Sequence, residues 1–323
     1  MSGLPPIVHA QAPAERLAAL RIVVGVFAVS YLALRVPVFL QLRDRSAEDL
    51  DAVGLFRWLD QPLPDDLVTI GLVVAFASGV GFVSGAWFVV TGPVFAVTML
   101  ALCTYRSSWG QLLHFENLFV MHLLVIGVAA SADAWSIDAR RRRDRSASIR
   151  GPHDYSSPLR LVCIVVVVTY VIAGIAKLRY GGLDWIVGDA LRNHVAYSAA
   201  RLDLLGGTPS PLAEVAVRQA WIFPPLAAGA VAIELAAPVA LFGGWCRNIW
   251  VGAAWLMHVG IAALMLVAFP YPLFLVAFAP FFPLERLVPA TWFARRQIRA
   301  NGARSVRGEK AAGGDAGGDR AGA

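Results

Sequence analysis

The chain has 323 residues, of which 58 % are hydrophobic and only 15 % charged, with a formal net charge of +6 and a mean hydropathy of +0.62. So small a charged fraction excludes an ordinary soluble globular domain and points to a polytopic membrane protein. Most of the cations flank apolar runs, where membrane topology accounts for them, so the basic balance is not read as a nucleic-acid surface.

The opening segment, 1–16, carries Pro5, Pro6 and Pro13 ahead of Arg16 and lacks a short apolar run followed by a small-residue cleavage site. No cleaved signal peptide is expected, and the first helix directs its own insertion. Eight stretches then reach or approach the roughly 20 apolar residues that span a bilayer: 17–40, 67–83, 85–104, 114–132, 158–178, 221–243, 247–268 and 270–284. The last is short and interrupted by Pro272, Pro280 and Pro283, which requires neighbouring groups to satisfy the freed carbonyls. The expectation is an all-α transmembrane bundle over 17–284, followed by a basic tail, 285–323. Its composition of Gly, Ala and charge from about residue 300 predicts disorder. Cys103, Cys163 and Cys246 lie in or beside apolar runs without CxxC spacing, so neither a disulfide framework nor a zinc site is expected.

Charge orients the bundle. Segment 41–66 has three arginines against seven acids, whereas 133–160 has seven arginines and the tail after 284 has eight basic residues. The positive-inside rule puts the last two in the cytoplasm and the first outside. With eight spans both termini are cytoplasmic, and the compartment is the plasma membrane. The long external segment 179–220 contains Asp184 to His194, whose mixed polar and apolar faces suggest an interfacial helix over the outer mouth of the bundle.

Lys177 stands out at the end of the apolar run from Leu161. It is one of two lysines against 26 arginines, the other being Lys310 in the tail. An amine, unlike a guanidinium, can act as a proton acceptor when desolvated. The plainer reading is a lysine that buries its stem and leaves its ammonium among headgroups. The start of the fourth span offers Trp109, His114, Glu116 and Asn117, with His122 beyond. His114 and Asn117 share a helical face, while Glu116 lies about 200° away from His114. A metal site from His114, Glu116, His122 and His194 is therefore disfavoured, leaving either helix-capping hydrogen bonds or a polar pocket opposite Lys177. Glu234 and His258 lie deep in the sixth and seventh spans and are expected to pair, for structure or for function. Arg21 and Arg35 read as interfacial anchors near the two ends of the first span. No phosphate loop, HExxH or GxSxG is present.

The order Ser108-Trp109, a polar helix start, Ala134-Trp135-Ser136-Ile137-Asp138, the Arg140 to Arg143 run, Tyr170-x-x-Ala-Gly174-x-x-Lys177-Leu178, Asp184-Trp185-x-x-Gly188 and a following histidine resembles the horizontally transferred transmembrane domain (HTTM) family. A weaker match continues to His258. The best-known member of that family is the vitamin K-dependent gamma-glutamyl carboxylase. The resemblance implies Lys177 as the base that deprotonates a hydroquinone at the outer face. It also implies His114 as the partner of Lys177, with Asn117 a competing match. Trp109, Trp185, His194, Glu234 and His258 complete the candidate pocket. A quinone or hydroquinone is the implied cofactor, and no metal is implied. The carboxylase's large extramembrane domain, which helps hold its peptide, has no counterpart in the short tail here. The expected substrate is therefore a quinol-like or other lipophilic molecule. The alternatives are a proton-coupled small-molecule carrier built on Glu234 and His258, or a non-catalytic membrane subunit.

Overall fold

The computed structural model describes residues 11–110, 114–143 and 153–287, and these form helices and turns without a strand. The first residues of the opening segment and nearly all of the basic tail fall outside that set. The chain divides into a unit ending at Phe282 and one beginning at Pro283. The second contributes the described turn Leu284–Leu287.

Helix α1 spans Ala14–Gln41, α2 Asp65–Ser84 and α3 Phe88–Ser107. Asp65 and Asp66 occupy the first turn of α2, where the helix dipole favours negative charge. Gly85 ends α2 at φ 64°, a left-handed cap that a side chain resists. Helix α4 follows as His114–Val128 and the short α5 as Ile137–Arg143. At one point α3 and α4 touch backbone to backbone: a Cβ on Gly92 would lie 2.3 Å from the Gly127 carbonyl oxygen.

The Trp-Ser-Ile-Asp stretch proves to be a fastening for this half of the bundle. Ser136 Oγ accepts from the Ala139 amide at 2.8 Å and caps α5. The Asp138 carboxylate accepts from the Trp87 and Phe88 amides at 3.0 and 2.8 Å, capping α3. Arg21 does not reach outward as an anchor would. It is fully buried and donates to the carbonyls of Phe82, Val83 and Trp135, which tie the end of α2 to the α5 entry. The carbonyls of Phe82 and Val83 lie in the last turn of α2, where no further amide of the helix meets them, and that is what draws a cation inside.

Helix α6, His153–Gly181, leads into three surface helices: α7 (Asp184–Val187), α8 (Ala190–Leu204) and α9 (Pro211–Val217). The expected interfacial helix is thus split, with Gly188 and Asp189 separating a single turn from a helix that runs on to Leu204. Helix α10 covers Phe223–Leu235, followed by a 3-10 segment Ala237–Phe242, and α11 covers Gly244–Met265. The last expected span is the single turn α12 (Pro270–Leu273) plus a 3-10 segment, Val276–Phe281. Its prolines withhold amides and break a continuous helix. Among the described residues, five helices are long and apolar enough to cross a membrane, or six if α9 and α10, bent by 96° from each other, are taken as one broken span. The 15 residues of α4 form a shorter apolar helix.

Candidate functional site

Helix α6 packs against α10, and Gly174 is the reason they meet closely. A Cβ there would come within 2.9 Å of Leu235 Cδ2 and 3.1 Å of Glu234 Cβ. One turn further along, Lys177 reaches across the same contact. Its Nζ donates to Glu234 Oε1 at 2.6 Å and Oε2 at 2.9 Å. The lysine side chain is 24 % exposed and the glutamate 8 %. Such a pair is held by charge-assisted hydrogen bonds in a setting where little water screens them.

The indole of Trp185 on α7 lies over the ammonium, 5.7 Å from Nζ to the ring centroid. The exposed ring of His194 packs on that indole, centroid to centroid 5.3 Å. Two helical turns before Lys177, the Tyr170 hydroxyl forms a 2.8 Å hydrogen bond with His258 Nε2 on α11. Trp250 packs edge-on against Tyr170 and donates to the Ile233 carbonyl at 2.9 Å, fixing α11 beside the last turn of α10. Both pairs thus join α6 to its neighbours, Lys177 to α10 and Tyr170 to α11. His258 Nδ1 is buried without a hydrogen-bond partner.

Glu234 therefore meets Lys177, and His258 meets Tyr170, where a Glu234–His258 pair was expected. That expectation rested on an unbroken helix over 221–243. Helix α10 ends at Leu235, which places Glu234 in its final turn facing α6. Trp185 and His194 join the Lys177 cluster. Trp109 is buried elsewhere, packing edge-on against Tyr105, and its carbonyl accepts from Arg45. Asn117 is exposed on α4. His114 opens α4, and its side chain lies outside the described residues.

A second buried cluster was only half visible in the sequence. Arg106, in the last turn of α3, pairs with Glu116, in the first turn of α4, at 3.0 Å, and Tyr31 of α1 donates to the same carboxylate. Both charged groups are buried, Glu116 at 1 % exposure. His122, fully buried, hydrogen-bonds to the Tyr271 hydroxyl at 2.5 Å. Glu116, His122 and His194 thus have separate partners, and no three His, Cys, Asp or Glu among the described residues are grouped to hold a metal. Arg106 closes an apolar run, where an arginine reads as an ordinary anchor, and nothing in the local pattern announces its partner.

The HTTM domain model matches residues 10–285, which takes in all of these helices and both clusters. No curated protein and no solved structure matches the chain. Since the match covers most of its length, the chain is a multi-pass membrane protein and belongs to the HTTM family.

Proposed function

We propose that the protein is a membrane enzyme in which the Lys177–Glu234 pair takes a proton from the hydroxyl of a lipophilic, quinol-like substrate. The observation that carries this reading is the two-point contact of Lys177 Nζ with both oxygens of Glu234 beneath the Trp185 indole. An ammonium has no lone pair with which to accept a proton, so the acceptor within the pair is the Glu234 carboxylate and the ammonium stabilises the anion that forms. The substrate hydroxyl gives its proton to Glu234, and the resulting oxyanion replaces the carboxylate as the partner of the Lys177 ammonium. One ion pair is exchanged for another, so no unpaired charge is created in a poorly solvated site. Trp185 offers an aromatic face for a ring, and the unpartnered His258 Nδ1 offers a polar contact nearby. When bound, a hydroquinone would supply the acidic hydroxyl.

On the same reading, Lys177 faces the outside of the plasma membrane and the Arg140 to Arg143 run faces the cytoplasm. The asymmetry of Lys and Arg between segments supports that orientation.

The test uses the purified protein in lipid nanodiscs with 1-naphthol, whose phenolate form has its own absorption band. Phenolate formation at neutral pH is expected with the natural protein and is lost in both Glu234→Gln and Lys177→Met. Unchanged ionisation in Glu234→Gln would show that the pair is not the base. Unchanged ionisation in Lys177→Met, or none with the natural protein, would overturn the site altogether.

A further inference from the structure

We propose that α7, α8 and α9 form a lid that lies in the plane of the membrane and rests in the interfacial layer of the leaflet on the Lys177 side, with lipid as its occupant. The lid already has a settled inner face. Val195, Ala213, Ala216 and Phe223 form a small buried cluster, with Leu191, Ala199, Leu264 and Met265 packed around it. The apolar residues on its other faces are therefore not needed to hold it down.

Those other faces are apolar nonetheless. Tyr197, Leu204 and Leu205 on and after α8, Leu212 and Val215 on α9, and Trp221 at the bend are all exposed, Leu204 at 86 % and Trp221 at 74 %. In α8, Tyr197, Ala200 and Leu204 follow helical spacing along one stripe, opposite Leu191, Val195 and Ala199. Helix α9 has three sectors. Ala213 and Ala216 face the cluster, Glu214 and Arg218 pair on an exposed side at 2.7 Å, and Leu212 and Val215 occupy the arc between. One face to protein, one to water and one to lipid is the distribution of an interfacial helix.

Orientation makes lipid the occupant rather than a protein partner. Helix α9 is bent 96° from α10, so if α10 runs along the membrane normal, α9 runs parallel to the surface. The lid is also tethered at both ends to membrane helices, leaving α6 at Gly181 and rejoining α10 at Phe223. Trp221 at the bend, with Arg192, Arg201 and Arg218 on the lid, matches the residue types that settle at a membrane interface. A lid seated in this way puts its rim in lipid. A lipophilic compound then reaches Lys177 and Glu234 sideways from the bilayer, with Trp185 on the underside of the entrance. The lipid contact does not depend on the proton-transfer reading, because it is measured without turnover.

The test places nitroxide labels one at a time, through Leu204→Cys, Leu212→Cys, Trp221→Cys and Glu214→Cys, in the full chain carrying Cys246→Ser. Cys103 and Cys163 are buried and stay unlabelled. In phosphatidylcholine–phosphatidylglycerol nanodiscs, relaxation by oxygen is compared with relaxation by a water-soluble nickel chelate. The oxygen-to-nickel ratio is expected to be several-fold higher at 204, 212 and 221 than at 214. Nickel-dominated relaxation at all three apolar positions would put the face in water and overturn the proposal. Low accessibility to both reagents at those positions would mean that protein covers the face, and would overturn it equally. Three independent positions keep the test decisive if one variant misfolds.

Discussion

Arg106–Glu116 and Lys177–Glu234 are both ion pairs drawn into the bundle, but their surroundings differ. The arginine pair joins the facing ends of α3 and α4, is almost sealed from solvent, and is locked by a third group, Tyr31, from α1. The lysine pair joins α6 to α10, leaves the amine partly exposed, and lies beneath Trp185 on a surface lid. A guanidinium holds its proton and offers a fixed fork, whereas an amine is a compact charge that can exchange partners. The first arrangement fastens three helices together. The second leaves the lysine side chain 24 % exposed, as the proton-accepting role proposed for the pair requires.

Arg106→Met carries the largest expected cost. Removing one partner of a buried pair leaves the other charge uncompensated, at a cost of about 3–5 kcal/mol. Thermal unfolding in detergent should show a larger drop than in Lys177→Met or Tyr170→Phe, with Glu116 stranded. A variant as stable as the natural protein would mean that the pair does not fasten α3 to α4. Lys177→Met should lose less, because its ammonium keeps some solvent. The informative measurement is the cycle with Glu234→Gln. The double variant should be more stable than the sum of the single losses predicts, with a coupling of about 1–3 kcal/mol. Additive losses would show that the two residues do not act as a unit.

These contrasts bear on what the sequence could reveal. The long apolar runs correspond to α1, α2, α3, α6 and α11, because a span needs length and apolar composition and both are local properties. The segments rich in proline or glycine were harder, since whether a run of that kind forms helix or 3-10 turns depends on what packs around it. Lys177 was legible because an amine among arginines is unusual. Glu234 was legible as an ionisable residue in an apolar run, but its partner was not. Glu234 lies 57 positions from Lys177, and the register that brings the two together is set by the close approach of α10 at Gly174. Arg106 is illegible for the opposite reason, since it occupies a position where arginine is commonplace. The Trp-Ser-Ile-Asp motif is one part of the resemblance to the family, yet its Ser136 and Asp138 cap helices away from the Lys177 cluster.

The finest test separates the ion pair from the hydrogen-bonded pair beneath it. Tyr170→Phe removes the hydroxyl that meets His258 Nε2 and leaves the aromatic packing against Trp250 in place. His258 then has no partner at either ring nitrogen, since Nδ1 lacks one already. An unsatisfied buried group of this kind costs about 1–3 kcal/mol, so a modest fall in thermal stability is expected. Naphthol ionisation should persist, because Lys177 and Glu234 keep their contact. If ionisation disappears in Tyr170→Phe while the protein stays folded, the proton does not stop at Glu234. Tyr170 and His258 would then belong to the same proton-accepting unit, and the boundary between site and scaffold would lie two helical turns deeper along α6.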